Sequence, residues 1–242
     1  MIFNVVLTLA ALAGGAIASV AGFGIGSILT PALAARIGTK LAVAAVSIPH
    51  VCGTVLRLWV VRQRINRHVI VSFGLASAAG GLAGALLHTR VQSALLGYVL
   101  GALLIFAATM ELTGLSSRLR FEGWSAWAAG GLSGLFGGLV GNQGGIRSAA
   151  LLGFDISKES FVATATAIAL MVDAARVPVY AATQGAQVAA LWRLMALMVA
   201  GVIAGTILGW RVLQRIPTPV FRRVVAIIIL ALGIAMFFIS GK

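Results

Sequence analysis

Two stretches of this chain are apolar yet too long for one straight helix to cross a bilayer, and glycine interrupts both. Residues 2–36 carry Gly14, Gly15, Gly22, Gly24 and Gly26, and residues 124–154 carry Gly130, Gly131, Gly134, Gly137, Gly138, Gly141, Gly144 and Gly145. A continuous helix of that length would measure ~45–50 Å, against ~30 Å of hydrocarbon. Broken backbone at membrane depth is tolerated only where protein or a wet cavity surrounds it. Paired breaks at equivalent places in two halves therefore point to a central site.

The rest of the chain reads as membrane-spanning. Apolar runs at about 40–61, 69–87, 92–113, 158–181, 188–210 and 217–240 each reach the roughly 20 residues that a spanning helix needs. With 60% hydrophobic and 10% charged residues, the 242-residue chain is an all-α polytopic membrane protein and not a water-soluble domain. Ile2 to Asn4 carry no basic cluster, so a retained N-terminus is expected. A lone Cys52 excludes an internal disulfide and a thiolate metal cluster. The net charge of +13 sits in short joints between apolar runs, which suits loops facing anionic headgroups and not nucleic acid.

The halves match. Gly15 corresponds to Gly131, Gly22 to Gly138, Thr39-Lys40 to Ser157-Lys158 and Arg57 to Arg176, a period of 116–119 residues. Residues 1–242 thus form a single transmembrane domain, with repeat 1 at about 1–115 and repeat 2 at about 120–242. If each broken stretch crossed once, the basic residues near helix ends would divide eight to seven. If each returned as a hairpin, Arg62, Arg64, Arg67, Arg118, Arg120, Lys158, Arg211, Arg215, Arg222 and Arg223 would share one side. Arg36, Lys40, Arg90, Arg193 and Lys242 would take the other. Only the second division orients the chain, with both termini periplasmic. The expected fold is two inverted repeats, each a glycine-broken re-entrant hairpin plus three transmembrane helices.

The second arm of each hairpin then starts near the midplane, around Gly24, Gly26 and Ser27 and around Asn142, Gln143, Gly144 and Gly145. Each presents free N–H groups and a positive dipole end, which favour an anion. Arg147 is the sharpest polar residue there, because a buried guanidinium needs a partner and its fork suits an oxyanion. Snorkelling, or pairing with Asp155, is its alternative. Arg57 stands five residues before Arg62 and is expected to snorkel, while Arg176 has Asp173 one turn earlier. Asp173 is read as a structural partner or a proton-carrying coupling residue, and His50, behind Pro49, as a substrate or proton ligand or a packed neutral ring. Thr164 is an oxyanion or interhelical hydroxyl. Pro178 is expected to loosen its helix. His68 and His88 are read as interfacial.

No hydrolytic triad, phosphate loop or metal-ligand cluster is present, so neither enzyme chemistry nor a cofactor is expected. Gly22-Phe-Gly-Ile-Gly-Ser-Ile-Leu-Thr-Pro31, Gly130-Gly-Leu-Ser-Gly-Leu-Phe-Gly-Gly138, Gly141-Asn-Gln-Gly-Gly145 and Ala163-Thr-Ala-Thr-Ala167 together resemble the sulfite exporter TauE/SafE family of bacterial inner-membrane transporters. The second half departs from its pattern, with Asn142 and Gln143 inside the glycines and Ala149 at the proline position. The resemblance implies anion transport, and the function expected is a secondary transporter that exports a small anion such as sulfite, an organosulfonate or another small oxyanion by alternating access. The partners expected are that anion and the lipid bilayer, with a proton as candidate coupling ion and a second copy of the chain as candidate partner. An anion channel and a non-transporting membrane scaffold subunit are the alternatives.

Overall fold

The fold comes from a computed structural model that describes residues 2–115, 121, 123–152, 154, 156–212 and 218–241. Its helices are α1 (Ile2–Ala21), α2 (Ile25–Ile37), α3 (Thr39–Val61), α4 (Arg67–Arg90), α5 (Ser93–Leu112), α6 (Trp124–Val140), α7 (Gly144–Leu152), α8 (Lys158–Ala190), α9 (Trp192–Val212) and α10 (Thr218–Ser240). No strand occurs among the described residues. Seven of these helices, α1, α3, α4, α5, α8, α9 and α10, are long and apolar enough to cross a membrane. The chain is an all-α polytopic membrane protein.

Five of the six apolar runs end where helices end. The exception is the joint expected between 181 and 188, which lies inside α8, a 33-residue helix that also runs on through Pro178. Alanine and glutamine are good helix formers, and Gln184 has a buried partner in His88, so the helix continues there despite Gly185. The two glycine-rich stretches do break, at Gly22–Gly24 and at Gly141–Gln143. Gly22, Gly24 and Gly141 hold φ of +75°, +140° and +73°, where side chains are disfavoured.

The other glycines serve close helix approach. Lipid gives helices no hydrophobic reason to associate, so small residues that let backbones touch supply the attraction. On α4, Gly80 and Gly84 abut the Gly131 and Leu135 carbonyls of α6, while Gly130, Gly134 and Gly138 of α6 abut the Phe73, Ser77 and Gly81 carbonyls in return. The Ser77 hydroxyl donates to the Gly130 carbonyl at 3.0 Å. α1 meets α9 in the same way through Gly15, Gly201, Gly205 and Gly209. In each case the first helix of one half packs on the fourth helix of the other. α5 and α10 run antiparallel: Gly97 faces Ser240, Gly101 faces Gly233, and Arg222 bridges Glu111 at 2.6 Å.

These contacts make a sharp prediction. A methyl group at Gly134 would overlap the Ser77 backbone, whereas Gly131 has nothing within 4 Å on its own open face. Gly134→Ala is expected to cost about 1–3 kcal/mol through forced helix separation, and Gly131→Ala is expected to be neutral. Thermal unfolding of the two purified variants checks this, and equal midpoints would refute it.

Candidate functional site

The site grows from the two breaks, which interlock. Gly26 lies against the Gly141 carbonyl, and Gly144 at the start of α7 lies against the Phe23 ring. The Ser27 hydroxyl and the Asn142 Oδ1 are 3.4 Å apart. Arg147 Nη2 donates to the Gly22 carbonyl at 3.0 Å, so a side chain of the second break holds the backbone of the first. Gly24 occupies the N-cap position of α2 with no side chain to cover the free N–H groups behind it.

α6 ends among these breaks, and a buried helix end leaves carbonyls that must be satisfied. Three side chains do so. Arg176 Nη1 donates to the Gly137 carbonyl at 2.7 Å, the Tyr180 hydroxyl to the Gly138 carbonyl, and His88 Nδ1 to the Leu139 carbonyl at 2.7 Å. Because a carbonyl only accepts, His88 carries its proton on Nδ1, and Gln184 Nε2 donates to His88 Nε2 at 3.1 Å. His88 is wholly buried in this arrangement, which corrects its reading as an interfacial residue. His68, by contrast, is exposed.

Around that helix end sits a concentration of charge. Arg57 of α3, Arg147 of α7 and Arg176 of α8 are 3%, 1% and 2% exposed, and Arg57 and Arg176 both act electrostatically on Arg147. The expectation that Arg57 snorkels is therefore overturned: its Nη2 turns inward to the Thr54 hydroxyl at 3.2 Å. Arg147 does not snorkel either, and Asp155, its proposed partner, lies outside the described residues. Asp173 accepts from Arg176 Nε at 2.9 Å and from His50 Nδ1 at 2.7 Å, so it is a structural partner of both. Among the described residues, Asp173 is the one carboxylate acting on this group.

Several polar atoms here are buried with no protein partner: Nε and Nη1 of both Arg57 and Arg147, both amide ends of Gln143, and the Thr30 hydroxyl. Thr30 and Arg176 both face Gly141. Leaving a buried charged donor unpaired costs more than the ~1–3 kcal/mol of a neutral one, so an oxyanion is what this surface is chemically fit to receive. Thr164 stands apart, its hydroxyl accepting from the Asn66 N–H at 2.9 Å. Gly145 packs on Ala107. Thr30 and Tyr180 are not singled out by the sequence, which names Arg57 and His88 but misplaces both. Tyr180 and Gln184 continue the spacing of Asp173 and Arg176 along one face of α8, and that polar stripe was the available signal.

A family model described as sulfite exporter TauE/SafE matches residues 7–236. The chain belongs to the sulfite exporter TauE/SafE family. It is thereby a multi-pass membrane protein of a sulfite- or anion-exporter type of transporter family, which supports a role other than enzyme catalysis. Neither the curated proteins nor the solved structures compared with this TauE/SafE chain give a match.

Proposed function

We propose that the chain is a secondary transporter that exports a small oxyanion, such as sulfite or an organosulfonate, across the inner membrane. The observation that carries this is the gathering of Arg57, Arg147 and Arg176 between the two glycine breaks with Asp173 as their counter-charge. Three buried cations beside one carboxylate leave an excess of positive charge that protein interiors do not hold without compensation. The free guanidinium N–H groups of Arg57 and Arg147, the Gln143 amide and the Thr30 hydroxyl are the donors for an anion, with Ser27, Asn142 and the glycines around them as close backbone.

Alternating access is the mechanism that suits this arrangement. The antiparallel α5 and α10, and the exchanged pairing of α1 with α9 and α6 with α4, support two inverted repeats, because a parallel duplication would run α5 and α10 in the same direction. The contact of Ser240 with the beginning of α5 supports one face for Lys40, Arg90 and the C-terminus, in line with periplasmic termini. In this reading the two breaks are the tips of re-entrant hairpins, and rocking of one repeat against the other opens the arginine cluster to each side in turn.

Purified protein is expected to gain thermal stability in sulfite or ethanesulfonate, by about 2.7 kcal/mol at a hundredfold excess over Kd. Reconstituted protein is expected to exchange labelled for unlabelled anion with saturation. Absence of stabilisation by either anion would overturn the anion site, and ohmic current in place of counterflow would overturn the transporter.

A further inference from the structure

Asp173 and His50 form a dyad whose geometry leaves one place for a proton. Asp173 is wholly buried, and both its oxygens are engaged: Oδ1 by Arg176 and Oδ2 by His50 Nδ1. A carboxylate accepts, so Nδ1 carries hydrogen and a second proton on this ring goes to Nε2. His50 is also the member of the group with access: its side chain is 10% exposed, against 0% for Asp173. The charged groups acting on His50 are Asp173 and Arg176 of α8 and Arg57 of α3 itself. Among the described residues, α2, α5, α6 and α9, which also pack on α3, add none that acts on it.

We propose that His50 is the proton-carrying group of this transporter and that proton and anion travel together, one of each per cycle. This rests on the anion site proposed above. A proton taken from the aqueous side onto Nε2 makes His50 an imidazolium against Asp173 and adds one positive charge to a cluster that already holds three arginines and one carboxylate. That strengthens the site for an anion, and linkage requires the bound anion to favour the proton equally. On the far side the anion leaves, the extra charge loses its compensation, and Nε2 returns its proton to water. The dyad occurs once. At the 119-residue spacing that equates Arg57 with Arg176, Asp173 is matched by Thr54 and His50 by Ala169, so the repeat-related position in the second half has no second proton carrier. For a monovalent anion the cycle moves no net charge.

The test uses full-length protein in vesicles with the membrane potential clamped and a pH dye inside. Ethanesulfonate is the first probe, because it brings no proton of its own, and sulfite is the second, read as the difference between wild type and His50→Gln. Wild type is expected to acidify the lumen by one proton per ethanesulfonate entering. In His50→Gln the amide still donates to Asp173 but takes no proton, so the ratio is expected to fall to zero while the probe still raises thermal stability. Anion entry without a lumen pH change in wild type, or an unchanged ratio in the variant, would overturn proton coupling and leave the anion site standing. No stabilisation and no counterflow with either probe would overturn the anion site, and coupling with it.

Discussion

Asp173→Asn is expected to destabilise the protein by about 3–5 kcal/mol, the usual result of removing one partner from a buried ion pair. The carboxylate lies wholly buried between Arg176 and His50, and no other carboxylate among the described residues acts on Arg147 or Arg57. Asparagine has nearly the same shape, so the loss is one of charge and not of volume. The double variant Asp173→Asn, Arg176→Gln provides the internal check: it removes opposite charges together, and its loss is expected to be clearly smaller than the sum of the two single losses. Saturating sulfite should stabilise Asp173→Asn more than it stabilises wild type, since the anion there meets guanidinium groups that the carboxylate no longer serves. An additive double variant, or a single variant as stable as wild type in thermal unfolding, would show that the carboxylate is not what holds the cluster.

Arg147→Ala is expected to have the largest effect on anion binding. The side chain ties α7 to the Gly22 carbonyl with one nitrogen and offers two more with no protein acceptor. Truncating one member of a buried charged pair costs roughly 2–5 kcal/mol, which is about 30-fold to several-thousand-fold in affinity. Arg147→Lys keeps the charge but loses the planar fork, so it is expected to fall between alanine and wild type. Titration of thermal stability with ethanesulfonate or sulfite measures all three. Wild-type affinity in Arg147→Ala would remove the residue from the site.

Much of this was legible before any coordinates. The excess length of the two glycine-rich stretches over a bilayer's thickness located both breaks, and the matching of Arg57 with Arg176 named two of the three central guanidinium groups. What failed was judgement of depth. Arg57 lies close enough in sequence to Arg62 to snorkel, but the hydroxyl of Thr54 one turn earlier turns it inward. His88 lies next to a helix end and reads as interfacial, because sequence does not reveal that α6 stops beside it with an unsatisfied Leu139 carbonyl. The same blind spot hid the role of Tyr180. The polar stripe along α8 marks Tyr180 as inward-facing, but a carbonyl in need of a donor is a property of where another helix ends, so the stripe does not name its partner.

The exchange of α1 onto α9 and of α6 onto α4 bears on how the chain is made. α1 leaves the ribosome well before α9, yet the surface that receives Gly15 belongs to α9, so that face waits in lipid while the helices between them are synthesised. Each half covers its own first helix only in part, α1 packing on α2 and α6 on α7. Assembly is therefore a late, long-range closure, of the kind that slows folding, and the interlocked breaks with their arginine cluster can form only after it. α1 thus precedes α9 in synthesis but completes its packing only with it.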